Sequence, residues 1–277
     1  MIEQVPNIFQ THTNHEYPPF NKMIFEEYFM NWYKTNTVKT EYVYLPILWT
    51  NFYISRKYGT VVMGDLQKFL DSLDRSKKYF TILQYDDGIL QDLKDLDILI
   101  FGAGGGGKKT LSERNLGTPI PLLCQPSPRI EQNRDVLCSF VGSTKNHPIR
   151  RKIANLFFKN FVIHENGGYD LFINRMERSI FSLCPRGYGA TSFRICESLQ
   201  HGSIPIYVYD KPWIPFQDKF DFNEIGILVS EKQIPDILNI IKSKTKEDIE
   251  KYIDNGKRIY EEFFTFEGCA KTIISKL

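Results

Sequence analysis

Apolar positions along this chain follow two patterns. Some form short unbroken runs rich in β-branched and aromatic residues, which read as buried strands. Others recur every three or four residues, which reads as a helix with one apolar face. In the first half, PNIFQ (6–10), YVYLPILW (42–49), YFTILQY (79–85), DILIFGA (97–103) and PIPLLCQ (119–125) are of the first kind. KMIFEEYFMNWYK (22–34), GDLQKFLDSL (64–73) and DDGILQDLKDL (86–96) are of the second, with Glu26 and Glu27 on a solvated helix face. The proline-rich CQPSPRIEQNRD (124–135) reads as a linker. The rhythm then restarts with VLCSFVG (136–142), a helix from about Pro148, NFVIH (160–164) and a helix from Tyr169. IFSLC (180–184), TSFRICESLQ (191–200), IPIYVY (204–209) and GILVS (226–230) follow, with helices running on to Phe264. Strands alternating with helices of about ten residues imply βαβ units on parallel sheets. The expected fold is α/β, with two Rossmann-like doubly wound domains facing a cleft. Residues 1–125 form the first domain and 126–262 the second, and a tail, 263–277, packs back on the first.

Composition narrows the class. Hydrophobic residues at 42% with charged residues at 25% fit a soluble globular protein of two ordinary domains. The net charge is +2 and no dense Lys/Arg run occurs, which argues against a nucleic-acid surface. Residues 1–17 hold no apolar signal segment, and no run approaches the length of a membrane span. The cysteines Cys124, Cys138, Cys184, Cys196 and Cys269 are widely spaced, with no CxxC or His/Cys ligand spacing. They read as small buried hydrophobes in a reducing, cytoplasmic setting, with no zinc.

The stretch with most chemistry is 180–210. It reads as strand, glycine loop, helix, strand, with glycines at 187 and 189 opening the helix. A glycine loop that opens a helix after a strand is where open α/β sheets bind phosphate. Arg194 and Glu197 are three apart and share a face near the helix start. A guanidinium suits a diphosphate and a carboxylate suits ribose hydroxyls; the bland alternative is an i,i+3 surface ion pair. Ser192 and Thr191 are N-cap candidates whose backbone N–H groups would also face a phosphate. Arg186 lies in the loop beside Gly187, placed for phosphate or for solvent alike.

The run SIFSLCPRGYGATSFRICESLQHGSIPIYVYD (179–210) resembles the signature of the exostosin family of glycosyltransferases. The shared pattern is an apolar strand, C-P-x-G, Ser-x-Arg, E-[AS]-L, G-x-[IV]-P-[VI] and an Asp. WIPFQDKFDFNEIGILVSEKQIPDILNII (213–241) after it and SFVGSTKNHPIRRKI (139–153) before it are similar too. The resemblance covers residues 136–242 and is weak over the first 130. It implies a GT-B fold, a UDP-sugar donor in the C-terminal domain and an oligosaccharide or glycoprotein glycan acceptor on the N-terminal one. It implies inverting transfer without a metal, with Arg194 on the donor diphosphate and Glu197 on the uridine ribose. Arg150, or its neighbour Arg151, would supply a second cation, and Asp210 would shape the donor site. No extra arginine marks a uronate pocket, so a neutral sugar, xylose for choice, is expected. Members from animals and plants usually carry a membrane anchor. This chain departs from that pattern, which leaves either a form trimmed of its anchor or, by preference, a compact soluble branch such as those carried by large DNA viruses.

Other candidates follow from position. FGAGGGGKKT (101–110) contains G-x-G-x-x-G after a strand, but Lys109 stands where a P-loop needs Ser or Thr. Gly104 and Gly105 therefore read as a flexible cleft loop. Asp95-x-Asp97 mimics a metal-binding D-x-D but precedes its strand, at the wrong end of the sheet. Asp86 and Asp87 end YFTILQY and are candidates for the general base, or caps of a following helix. His12 and His15 are alternatives near the acceptor. Two rival functions remain: a non-catalytic glycan-binding or scaffold protein of this fold, and a P-loop-like nucleotide-binding protein.

Overall fold

The computed structural model describes residues 1–11, 23–61, 63–130, 133–155, 161–164 and 168–277. The chain divides into two compact units, residues 1–120 with 266–277, and residues 121–265. Both are parallel α/β sheets, as the alternation predicts. Among the described residues no helix is long and apolar enough to cross a membrane.

The first unit holds helix α1 (Phe25–Thr35), strand β1 (Val43–Tyr44), helices α2 (Trp49–Ser55) and α3 (Gly64–Ser72), then strands β2 (Tyr79–Leu83), β3 (Ile98–Gly102) and β4 (Thr118–Pro119). The C-terminal helix Phe266–Ile274 completes it. The strands lie in chain order, β1-β2-β3-β4, with Tyr79 opposite Ile98 and Phe101 opposite Thr118. Side chains alternate across a strand, so the two faces bury different partners. Tyr44 and Phe80 pack against Phe29 and Tyr33 of α1. Val43, Tyr79 and Leu83 belong to a core with Phe52, Leu66 and Leu70 of α2 and α3.

Four expectations fail here, each for a local reason. PNIFQ is no strand: Asn7–Phe9 is a 3-10 turn that follows Pro6, and the nearest parallel bridge pairs Ile2 with Tyr44. YVYLPILW stops as a strand at Tyr44, because Pro46 has no N–H to give a ladder and Trp49 already starts α2. PIPLLCQ contributes only Thr118–Pro119 at the sheet edge. DDGILQDLKDL forms no helix: Ile89, Leu93 and Leu96 are buried, but Gly88 and Lys94 take positive φ and break the turn.

The second unit runs β5 (Val136–Val141), α4 (Pro148–Ala154), β6 (Phe161–His164), α5 (Tyr169–Arg178), β7 (Ser179–Pro185), α6 (Phe193–Gln200), β8 (Ile204–Tyr209), β9 (Ile227–Ser230), α7 (Ile237–Lys242) and α8 (Lys246–Ile259). A π-helical turn, Tyr260–Phe264, ends it. The sheet order is β6-β5-β7-β8-β9. Numbered from its own first strand this is 2-1-3-4-5, so the direction of winding reverses between β5 and β7. In open α/β sheets a ligand sits at that reversal, outside the carboxyl ends of the strands.

Candidate active site

Two loops leave the carboxyl ends of β5 and β7 at the reversal, Gly142–His147 and Arg186–Ser192. Both are fixed by buried side chains. Ser192 caps α6, its hydroxyl accepting from the Arg194 N–H at 3.3 Å. Gly187 N–H donates to Thr191 O, and the buried Tyr207 hydroxyl donates to Ala190 O at 2.6 Å. Arg150, in the first turn of α4, joins the two loops. Its guanidinium donates to Arg186 O (2.8 Å), Ser143 O (3.2 Å) and Pro185 O (3.4 Å). Arg150 is buried while Arg151 is exposed.

Arg186 turns inward. It donates to Gly189 O and Tyr188 O and pairs with Asp210 at 2.5 Å, from the end of β8. Burial works against the Asp210 charge, yet the Arg186 guanidinium outweighs it and holds the carboxyl below its ordinary range. His147 caps α4 through Nδ1, which leaves Nε2 carrying the proton, 3.6 Å from the other Asp210 oxygen. Burial, then Arg186, lowers the His147 pKa. The sequence reading missed His147; its signal was a histidine immediately before the proline that opens a helix.

Arg194 and Glu197 differ from this bonded frame. The Arg194 guanidinium lies 4.9 Å from the Phe140 ring centroid and 5.4 Å from that of Phe172, with Nη2 donating to Val141 O at 2.6 Å. Its Nε is buried without a partner. Gly142 makes room: a Cβ there would stand 2.1 Å from Arg194 Nη2. Glu197 is 8% exposed, and burial pushes its carboxyl up to about 7 while Arg194 and Arg150 pull the other way. Among the described residues nothing hydrogen-bonds that carboxylate or forms an ion pair with it, so the surface-pair reading fails. A buried cation with an unmet donor and a buried carboxylate with unmet acceptors sit on one helix, and a ligand carrying both an anion and hydroxyls would satisfy them.

In the first unit, Asp87 is 1% exposed and its Oδ1 accepts the Lys109 N–H at 2.8 Å, while Asp86 is half-buried. Asp87 thus pins the glycine loop. Gly106 N–H donates to Asp86 O, and a Cβ on Gly104 would stand 2.3 Å from Asp86 Cα. The loop at Gly104 and Gly105 is packed against residues 85–87, which corrects the free cleft loop expected of it. No α-helix follows it before β4; Glu113–Asn115 is a 3-10 turn, and Lys109 Nζ donates to Tyr58 O. A P-loop needs a helix N-terminus at that point, and this loop has none. Asp95 pairs with Arg75 ahead of β3, at the end of the sheet remote from the strands' carboxyl ends. His12 and His15 lie outside the described residues.

Glu26 and Glu27 overturn their placement on a solvated face, being 1% and 4% exposed. Glu26 accepts from Thr50 N, Thr50 Oγ1 and Gln84 N, and burial pushes it up to about 7 against the pull of those donors. Glu27 accepts from Asn51 Nδ2 and Ile24 N. They fasten α1 to the start of α2 and the end of β2. Helical spacing alone does not reveal this, because the partners are 24 and 58 residues away.

The exostosin GT47 domain matches residues 111–244. A probable glucuronosyltransferase of Oryza sativa subsp. japonica is 38% identical over 74 residues, which cover 27% of this chain and 18% of that protein. The probable beta-1,4-xylosyltransferase IRX10 of Arabidopsis thaliana is 40% identical over 68 residues, 24% of this chain and 16% of that one. The Exostosin-1 homolog of Caenorhabditis elegans is 27% identical over 101 residues, 36% and 26% of the two chains. The chain thus spans less than a fifth of the length of the plant relatives it matches. Among solved structures, TarM aligns at a TM-score of 0.43 and 9% identity over 76% of this chain and 52% of that one. A glycosyltransferase from Rickettsia africae ESF-5 aligns at 0.40 and 13% identity, over 91% and 78%.

Proposed function

We propose, from the match of the exostosin GT47 domain to residues 111–244, a glycosyltransferase that moves a sugar from a UDP-sugar to a glycan hydroxyl. The observation that carries this is the pair of under-bonded buried groups, Arg194 and Glu197, on the helix that opens at the β5/β7 reversal. Arg194 takes the diphosphate and Glu197 the ribose hydroxyls. Arg150 and Arg186 hold the two loops in place, and Gly187 leaves the α6 N-terminus open to phosphate.

In this reading the acceptor oxygen attacks C1 of the donor sugar, the bond from C1 to the phosphate oxygen breaks, and configuration inverts. A carboxylate of the first unit takes the acceptor proton. Asp86 and Asp87 are the candidates for that role in this proposal, and Asp87 Oδ1 also accepts the Lys109 N–H. The departing UDP gathers negative charge, which buried guanidiniums and a helix N-terminus offset without a metal. The donor sugar in this proposal is neutral, xylose for choice. Five buried, unbridged cysteines favour a reducing, cytoplasmic setting.

The test is calorimetric titration with UDP, with and without EDTA, on wild type, Arg194→Ala and Gly142→Ala. Binding indifferent to EDTA is expected, and each variant is expected to lose at least about tenfold, or about 1.4 kcal/mol. Gly142→Ala acts by displacing the guanidinium and, at a φ of +150°, by straining the loop backbone, so Arg194→Ala is the direct test of the side chain. No binding by wild type would leave the scaffold reading in its place. Binding unchanged in both variants would put the nucleotide elsewhere.

A further inference from the structure

Cys124 and Cys196 stand apart from the other three cysteines. Their Sγ atoms are 3.2 Å apart, closer than two unbonded carbon atoms at their optimum of about 3.5–4.0 Å, although sulfur is the larger atom. Both are buried and neither is bridged. A disulfide needs about 2.05 Å between the sulfurs, so closing the bond asks for a movement of about 1.2 Å.

The surroundings hold the two sulfurs face to face. Gln200, at the end of α6, donates from Nε2 to Gln125 O (3.2 Å) and Ser127 O (3.4 Å), strapping the segment that carries Cys124 to the helix that carries Cys196. Its Oε1 lies 3.3 Å from Cys124 Sγ. On the other side Cys196 Sγ lies 3.5 Å from Phe264 O, in the π-helical turn. The pair therefore sits where three segments meet. A cavity of about 310 Å³, whose lining includes Pro126, Ser127, Gln200 and Tyr260, adjoins the segment after Cys124 and the end of α6, while the two sulfurs themselves stay buried outside its lining. It borders the amino end of β8 at Ser203 and Ile204, the end of the sheet opposite the Arg194 loops.

We infer that Cys124 and Cys196 are a disulfide-forming site, closed by a small two-electron oxidant of the diazene or disulfide class and opened by a thiol. With a diazene such as diamide the two S–H bonds break and one S–S bond forms. The two protons and two electrons pass to the N=N group, which becomes a hydrazine. Closure ties the segment at the entrance of the second unit to α6, one residue from Glu197. Cys184 faces Ser182 O and Ser198 Oγ, Cys138 lies within β5, and Cys269 lies in the C-terminal helix of the other unit.

The experiment oxidises the native full-length chain with diamide, counts thiols after denaturation, and maps peptides with and without a reducing thiol. Loss of two of the five thiols is expected, with the chain lighter by two hydrogens. One linked peptide pair should contain residues 124 and 196, and the melting temperature should rise and return on reduction. Cys124→Ser is expected to lose the link and Cys269→Ser to keep it. Peptide mapping of the wild type decides the matter even where a variant folds poorly. Five thiols surviving the oxidant, or a link that joins other cysteines or two chains, would overturn the inference. None of these readouts depends on whether the chain binds a nucleotide.

Discussion

At the scale of single residues, the informative groups are those left short of partners. Arg150 and Arg186 spend their donors on backbone carbonyls and Asp210, whereas Arg194 keeps a buried Nε unmet and Glu197 keeps its carboxylate unmet. Burial raises Glu197 to about 7, and two effects of opposite sign follow. A carboxyl raised in the fold contributes stability that is complete below its unfolded pKa, near 4.5, and lost as pH rises through 7. Nucleotide binding runs the other way, because only the ionised carboxylate accepts from two ribose hydroxyls. Between pH 6 and pH 8 the ionised fraction climbs about tenfold, and apparent affinity follows the competent fraction. UDP affinity of the wild type, divided by that of Glu197→Gln at each pH, is expected to rise about tenfold over that interval. The variant serves as reference because the phosphate's own titration is common to both. A flat ratio would remove Glu197 from the ribose.

At the scale of elements, legibility tracked whether the deciding interaction was local. β2, β3, β5, β7, β8 and β9 were readable because each is a continuous apolar run buried on both faces or nearly so. The α6 start was readable because Ser192 caps it from within the turn. The segment 86–96 was not, because its apolar spacing suits a helix while Gly88 and Lys94 at positive φ route it as a loop. The glycine run was legible as a loop but not as a packed one. Its contact with Asp86 crosses from β3 to β2, and no local pattern records that. The packing has a consequence for stability. A methyl at Gly104 meets backbone at 2.3 Å, so neither side yields cheaply. Gly104→Ala is expected to cost about 1–3 kcal/mol, the range of an overpacked core, and to lower the melting temperature by several degrees. Gly187→Ala, whose nearest contact is 3.6 Å, should melt with the wild type. Equal melting of wild type and Gly104→Ala would mean that the loop stands clear of Asp86.

At the scale of the whole molecule, two cores are built from one chain that visits the first unit twice. Residues 1–120 make a core around Trp49, Tyr79 and Ile100, and residues 121–265 make another around Phe140, Phe181 and Ile206. The last helix belongs to the first unit. Phe266 packs on Phe25 and Tyr28, Tyr28 donates to Glu267 at 2.7 Å, and Ile273 is fully buried. Units with separate cores unfold as separate transitions, and a ligand raises only the transition of the unit that binds it. Ile273→Ala removes buried methylenes from the first unit and is expected to lower one calorimetric transition by about 2–5 kcal/mol. UDP is expected to raise the other, because Arg194 and Glu197 lie in the second unit. The measurement is scanning calorimetry of wild type and Ile273→Ala, each with and without saturating UDP. If the transition that UDP raises is the one that Ile273→Ala lowers, the nucleotide binds the unit built on the C-terminal helix, and the assignment of the donor site to α6 fails.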